Sequence, residues 1–300
     1  MPPVPERRTL VTGGAGFIGS HLVEALVDRG DHVVVLDDLS TGSRDNLEPV
    51  RERITFIEGG VQDVRACRRS CEGVREVFHL ASRVSVVESM ESPDLYREIV
   101  LQGTVNLLDA AHRAGSNRLV LASSCSVYGD AAPPISETCP LDPRSPYAIF
   151  KAEAEQACRK SVLPTTCPRF FNVYGPRQRA DSPYSGVIAI FSRLASESRA
   201  PTIFGDGLQT RDFVHVLDVV RGLMLAASES DLGSGEAINF GTGRGTTVLE
   251  LASMLGCPPP RFEPAREGEV RHSAADTGRA MDLFGFEPEI DLRSGLSTLD

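Results

Sequence analysis

The stretch "RTLVTGGAGFIGSHLVEALVDRGDHVVVLDD", residues 8–38, leaves the chain very few folds. Leu10 and Val11 close a short apolar strand. Four glycines follow, and Phe17, Ile18, Leu22, Ala25 and Leu26 then recur at helical spacing until Gly30. Val33 to Leu36 is a continuous β-branched and aliphatic run, the pattern of a parallel strand covered on both faces. This is a βαβ unit. Gly13, Gly14, Gly16 and Gly19 satisfy both GxGxxG and GxxGxxG, in the strand-to-helix context that gives the motif its mechanism. The glycines let the backbone turn tightly against a pyrophosphate, and the helix N-terminus offers free N–H groups and partial positive charge. Asp37 stands 18 residues after Gly19, at the end of the second strand. A carboxylate there accepts hydrogen bonds from adenosine ribose hydroxyls and repels a 2′-phosphate, so NAD is expected over NADP. Asp38 adds to that repulsion, and Arg44 in the next loop opposes it.

The alternation continues along the chain. "ITFIEG" and "EVFHLAS" read as strands, "DLYREIVLQGTVNLLDAAHRAG" as one long amphipathic helix, "RLVLASS" as a strand, "SPYAIFKAEAEQACRK" as a helix with Pro146 near its start, and "TTCPRFFNVYG" as a strand. The fold class is α/β: a doubly wound parallel (Rossmann) sheet with a smaller α/β substrate-binding lobe. Residues 1–175 are expected to form the dinucleotide-binding domain. Residues 176–300 supply most of the second lobe, with a return to the first around 213–242. At 300 residues and 41% apolar content the chain can bury a sizeable core.

Charge and cysteine usage exclude several classes. With 31 Lys plus Arg against 41 Asp plus Glu, the formal charge is −10, a poor match for nucleic acid or an anionic membrane. The seven cysteines are odd in number and lack a disulfide-framework spacing. Cys67 and Cys71 have no His or Cys nearby in sequence to complete a metal site. Free thiols in a reducing compartment and no metal are expected. No apolar run approaches the ~20 residues of a membrane span. Arg7-Arg8 is followed by a glycine turn, unlike an export signal. The chain reads as cytoplasmic.

Tyr147 and Lys151 are four apart and share a helix face. A phenol has a pKa of about 10, and a base useful near neutral pH needs it lowered by about 3 units, roughly 4 kcal/mol. A neighbouring ammonium does this, and an oxidised nicotinamide adds a second positive charge. Upstream, "SSCSVYGD" (residues 123–130) follows the apolar run ending at Ala122. It delivers hydroxyls to the carboxyl edge of the sheet, where ligands bind in such folds. Ser124 is placed to hydrogen-bond the substrate oxygen that Tyr147 deprotonates, with Ser123 and Ser126 lining the pocket.

Together "TGGAGFIGSHL", "VLDDLSTG", "HLAS", "SSCSVYGD", "SPYAIFK", "PRFFNVYGPRQ", "GDGLQTRDFVHVLDVV" and "NFGTG" make the chain resemble the extended short-chain dehydrogenase/reductase family. Within it the chain is most similar to the nucleotide-sugar 4-epimerases related to UDP-galactose 4-epimerase. That resemblance implies Tyr147 as base, Lys151 as its tuning partner and ribose ligand, and Ser124 as the third catalytic residue. It implies an NAD site lined by Gly13, Gly16, Phe17, Ile18, Gly19, Asp37, Asp38, Val61, Leu80, Ala81, Ser82, Ala122 and Ser123, besides Tyr147 and Lys151. It assigns a UDP-sugar to Ser124, Cys125, Ser126, Tyr147, Asn172, Arg179, Val187 and Ser273. Arg211 and Arg266 match the diphosphate arginines, and Thr202 and Phe204 the segment beside uracil. A homodimer is implied too, through helices near 94–114 and 146–160 carrying Leu101, Val105, Leu108, Ile149 and Phe150. Two departures stand out: Gly60 where the family commonly has an aspartate that contacts adenine, and Val100 where an asparagine is usual.

The resemblance favours C4 epimerisation through a transient 4-keto sugar. The alternative is a lyase on the same scaffold, a nucleotide-sugar dehydratase or decarboxylase. Those relatives carry acidic residues where this chain has Cys125 and Ser126. A non-catalytic NAD-sensing protein is the further rival, and such relatives typically lose the tyrosine or the lysine. Among sugars, Arg179 in "GPRQRAD" resembles the UDP-glucuronate 4-epimerases and favours a uronate over hexoses. Ser273 leaves room for N-acetylhexosamines.

Overall fold

The computed structural model describes residues 7–180, 186–229, 232–265 and 270–299. In chain order the elements begin β1 (Arg8–Thr12), α1 (Phe17–Asp28), β2 (His32–Asp37), β3 (Ile54–Glu58), α2 (Val64–Cys71), β4 (Glu76–His79), α3 (Val86–Glu91), α4 (Pro93–Tyr96) and α5 (Gly103–Arg113). Next come β5 (Arg118–Leu121), β6 (Ser123–Ser124), α6 (Pro146–Arg159), β7 (Thr165–Phe170), β8 (Asn172–Tyr174), α7 (Val187–Ser196), β9 (Thr202–Phe204) and β10 (Thr210–His215). The chain closes with α8 (Val216–Ser228), β11 (Ser234–Phe240), β12 (Gly245–Thr247), α9 (Val248–Met254), β13 (Arg261–Glu263), α10 (Gly278–Phe284) and α11 (Leu292–Leu296).

The main sheet has the order β11-β7-β5-β4-β1-β2-β3, with β6 paired to β7. β1 pairs in parallel with both β2 and β4, so the strand order reverses there. That is the topological switch point at which open α/β sheets bind ligands, beyond the carboxyl ends of the strands. Leu10, Val34, Leu36, Val77, Leu119 and Leu121 bury the sheet interior with helix residues such as Leu107, Ala111 and Ala154.

Two compact units divide the chain. The first takes residues up to Ser124, 145–169 and 220–238, and the second takes 125–144, 170–219 and 239–300. The chain thus passes to the second unit after 169, returns to the first at 220–238, and contributes 125–144 to the second. Segment 125–144 groups with the second unit: Ile135 bridges to Ala275, and Tyr128 Oη donates to Asn239 Oδ1 at 2.6 Å. The run "TTCPRFFNVYG" is two strands. β7 lies in the main sheet, whereas β8 pairs with β10 in a three-stranded sheet with β12. Phe171 sits at the break and donates its N–H to Phe240 O. The second unit's core gathers Tyr174, Ile188, Phe191, Ile203, Phe213 and Leu251. β9 pairs with β13 at its side.

The long helix expected before Gly115 is interrupted by a π-helical turn over Arg97–Gln102. Val100 lies in that turn, buried against Tyr96 and Tyr147. Leu108 belongs to the chain's own core and Phe150 packs on the Tyr96–Val100–Tyr147 cluster, which leaves Val105 and Ile149 exposed and Leu101 half-buried. Among the described residues no helix is long and apolar enough to cross a membrane, and no group of three or more His, Cys, Asp or Glu is placed to hold a metal.

Candidate active site

The glycine loop is built for close approach. Gly13 has φ +69°, and a Cβ there would lie 2.7 Å from Ala81 N. A Cβ on Gly19 would run into the Gly13 carbonyl. Gly13, Gly16, Phe17 and Ile18 remain half-exposed on the open side of the turn. Gly16 caps α1 without a side chain, and no acidic residue occupies the first turn, so the helix start presents bare N–H groups. Leu80, Ala81 and Ser82 follow β4 and are half-exposed beside this loop.

Asp37 is buried at the end of β2. Its Oδ2 accepts from Ala15 N at 2.9 Å and its Oδ1 from Leu39 N at 2.8 Å, so it also pins the glycine loop. Burial pushes its carboxyl above the usual range, against these two backbone hydrogen bonds. Each oxygen keeps acceptor capacity for a hydroxyl. Asp38 is exposed and accepts from Ser40 N. Arg44 is engaged elsewhere: its guanidinium stacks 4.1 Å from the Phe56 ring centroid and pairs with Glu58 at 2.8 Å. Val61 puts its side chain into the core, and its carbonyl accepts from Asn106 Nδ2 at 3.1 Å. At Gly60, the space a Cβ would need holds the Gln62 carboxamide. The cradle, the buried Asp37 carboxylate at the end of β2 and the half-exposed loop after β4 fit a dinucleotide.

Helix α6 carries Tyr147 and Lys151, the candidate acid–base pair. Ser145 caps it, accepting from Ala148 N at 3.2 Å, and Pro146 starts its first turn. Tyr147 and Lys151 both lie on its buried face, with the Lys151 Nζ 5.9 Å from the Tyr147 ring centroid. Lys151 Nζ donates to the Ala122 carbonyl at 2.7 Å, one residue before Ser123 and Ser124. Burial lowers the Lys151 pKa to about 8, and the Glu155 carboxylate opposes that shift. The Tyr147 ring meets Tyr96 edge-on at 6.3 Å, and Tyr96 Oη donates to Glu88 at 2.7 Å. The structure thus gathers Ala122, Ser123, Ser124, Tyr147 and Lys151 at the ends of β5 and β6.

Sequence reasoning passed over two buried networks here. His79 is held by Thr12 Oγ1 at 2.8 Å and Thr104 Oγ1 at 3.1 Å, and burial with the nearby Lys151 charge lowers its pKa to about 3. Glu155 lies one turn beyond Lys151 and takes Ser123 Oγ at 2.6 Å and both arms of Arg169. The available signal was a charged residue continuing the 147, 151 spacing, and an arginine inside the apolar run "TTCPRFF".

The second unit holds the other candidates. Cys125 and Ser126 begin a 3-10 turn. Cys125 is brought together with Arg211, Asp212 and Ser273. Burial and the Asp212 charge push its thiol up to about 12, against the Arg211 charge and a hydrogen bond with Ser273. Asp212 is fully buried and accepts from Thr242 N, Thr242 Oγ1, Gly243 N and Ala275 N, which braces the "NFGTG" turn beside Arg211. Arg211 donates to Thr210 O, and Ser273 N donates to the same carbonyl. Asn172 opens β8, Val187 opens α7, and Thr202 and Phe204 are half-buried on β9. Arg179 is exposed in the loop after β8. Arg266 lies outside the described residues.

Fold and cradle define a dinucleotide-binding α/β protein. The chain belongs to the NAD dependent epimerase/dehydratase family, whose model matches residues 9–241, and its cofactor is NAD. It is 40% identical to a UDP-glucose 4-epimerase of Mycolicibacterium smegmatis, over 97% of this chain and 96% of that one. It is 33% identical to a UDP-N-acetyl-alpha-D-glucosaminuronate decarboxylase of Bacillus cytotoxicus, over 97% and 96%. Among solved structures, MoeE5 in complex with UDP-glucuronic acid and NAD is similar at a TM-score of 0.88 and 37% identity, covering 97% of each chain. MoeE5 is also known with UDP-glucose and NAD.

Proposed function

We propose that the chain inverts C4 of a UDP-sugar, using NAD, with UDP-glucuronate the favoured substrate. The observation that carries this is Lys151 tied to the Ala122 carbonyl, on the same helix face as Tyr147 and beside Ser123 and Ser124. Tyr147 takes the proton from the sugar O4, Ser124 hydrogen-bonds that oxygen, and the Lys151 ammonium favours the phenolate. NAD, held by the glycine cradle and Asp37, would supply the hydride acceptor for C4 and the donor for its return to the other face. Tyr147 gives the proton back to O4 after the sugar has turned about its diphosphate linkage. Arg211 and Arg266 are assigned to the diphosphate, Thr202 and Phe204 to the uracil, and Asn172, Val187, Ser126 and Ser273 to the sugar nucleotide.

A lyase is the second reading, favoured by the 33% identical decarboxylase. Cys125, a thiol pushed up to about 12, is neutral near pH 7 and a poor substitute for a catalytic carboxylate. Arg179 supports the uronate, since a guanidinium pairs with a carboxylate in a fork. The experiment supplies UDP-glucuronate, UDP-glucose and UDP-N-acetylglucosamine to wild type, Tyr147→Phe and Arg179→Ala. Epimers with no loss of CO₂ or water are expected, turnover falls about 10²–10⁴-fold in Tyr147→Phe, and Arg179→Ala costs the uronate selectively. Full activity in Tyr147→Phe sinks the reading, and an equal effect of Arg179→Ala on all three sugars sinks the uronate. A homodimer is part of the proposal, and a monomer at every concentration in sedimentation refutes that part.

A further inference from the structure

Glu155 is fully buried on α6, one turn past Lys151 and two past Tyr147. Its carboxylate accepts Ser123 Oγ at 2.6 Å, Arg169 Nε at 2.8 Å and Arg169 Nη2 at 2.6 Å, with Arg159 Nη2 at 3.3 Å. Arg169 is 1% exposed on β7. Burying an ion pair is costly against an apolar pair of the same volume, so stability alone is a weak reason for it. Its placement offers a better one. Ala122 and Ser123 are consecutive, and α6 grips both: Lys151 holds the Ala122 carbonyl and Glu155 holds the Ser123 hydroxyl. Ser124 follows Ser123 directly on the two-residue strand β6 and is half-exposed, so a grip on Ser123 fixes the backbone that carries Ser124.

We propose that Glu155, braced by Arg169, is a positioning residue for the proton-transfer site: it clamps Ser123 so that Ser124 is presented in fixed register with Tyr147, and its negative charge sustains the Lys151 ammonium. This rests on the reading of Tyr147, Lys151 and Ser124 given above. The groups acting on Lys151 come from three elements. Tyr147, Glu155 and Cys158 share α6, Cys167 and Arg169 face it from β7, and His79 does so from β4. Burial alone drives Lys151 toward the neutral amine, and Glu155 is the largest opposing influence. Replacing Glu155 by glutamine removes that charge and so lowers the Lys151 pKa, and the ammonium is lost at lower pH. Ser123→Ala breaks the clamp and leaves the charges in place.

The test measures kcat, KM and the pH dependence of kcat/KM with UDP-sugars for wild type, Glu155→Gln, Ser123→Ala and the double variant, with NAD content checked in each. Glu155→Gln is expected to move the alkaline limb down by about one pH unit. Ser123→Ala is expected to lower kcat about tenfold at unchanged KM and an unmoved limb, and the double variant to fall no further in kcat than Glu155→Gln. An unmoved limb in folded Glu155→Gln overturns the proposal, whatever the loss of turnover, because a merely structural pair acts that way. If Glu155→Gln does not fold, Ser123→Ala decides, and wild-type kcat there overturns it. Tyr147→Phe run alongside separates the readings: activity in that variant overturns the proposed function. An inactive Tyr147→Phe beside wild-type behaviour in the Glu155 and Ser123 variants overturns this inference alone.

Discussion

A methyl group at position 19 has nowhere to go, because the Gly13 carbonyl already occupies its place. Gly19→Ala must push the start of α1 away from the turn, and the N–H groups that the turn aims at a pyrophosphate move with it. The expected result is a Kd for NAD raised at least about tenfold, roughly 1.4 kcal/mol, measured by equilibrium binding to apoprotein. Unchanged affinity would mean that the cradle is not where the diphosphate lies. Single residues also account for two oddities. Arg44, which opposed the NAD reading of Asp37, is committed to Phe56 and Glu58. Gly60, the departure from the family's aspartate, is matched by a glutamine two residues on whose carboxamide fills the vacated space. Neither could be seen in sequence, because both depend on where a flexible side chain folds back.

Among the elements, α6 has the most readable start and the most to lose from it. Ser145 accepts from Ala148 N, and Tyr147 sits in the first turn that this cap holds. Ser145→Ala is expected to cost about 1 kcal/mol in urea unfolding, whereas Ser145→Asp, which keeps an acceptor, stays within a few tenths. Equal losses in the two variants would discount the cap. The Ser-Pro signal made this helix legible, as the glycines and the buried aliphatic run made β1, α1 and β2 legible. The π turn at Arg97–Gln102 was not, since apolar spacing cannot distinguish one inserted residue within a long helix. The β7–β8 break was hidden for a different reason. "TTCPRFFNVYG" is uniformly strand-like, and what divides it is that β7 and β8 pair in different sheets. The candidate site followed the same rule. Tyr147, Lys151 and the serines came from local motifs, whereas Glu155, Arg169 and His79 acquire their meaning only from partners distant in sequence.

For the molecule as a whole, the buried network behind the site makes folding depend on pH. His79 is held between Thr12 and Thr104 and titrates at about 3, well below its ordinary 6.5. Its folded pKa is depressed, so between about 6.5 and about 3 the unfolded chain binds a proton that the folded one does not. Stability therefore falls as pH drops through that window, by up to about 1.4 kcal/mol per unit from this one residue, and is unaffected by it above 6.5. Lys151 works in a separate window. Lowered to about 8 from 10.5, it makes stability rise with pH between those values. The His79 contribution can be isolated with His79→Gln, which cannot take up the proton. The variant starts less stable at pH 7, having lost the two threonine contacts. Between pH 7 and pH 5 the gap to wild type should narrow by about 2 kcal/mol, as wild type loses what the variant never had. Urea unfolding of both proteins at the two pH values reads the gap directly. A gap that stays constant would mean that the imidazole is protonated in the folded state, and the Thr12–His79–Thr104 chain would then have to be redrawn with both ring nitrogens donating.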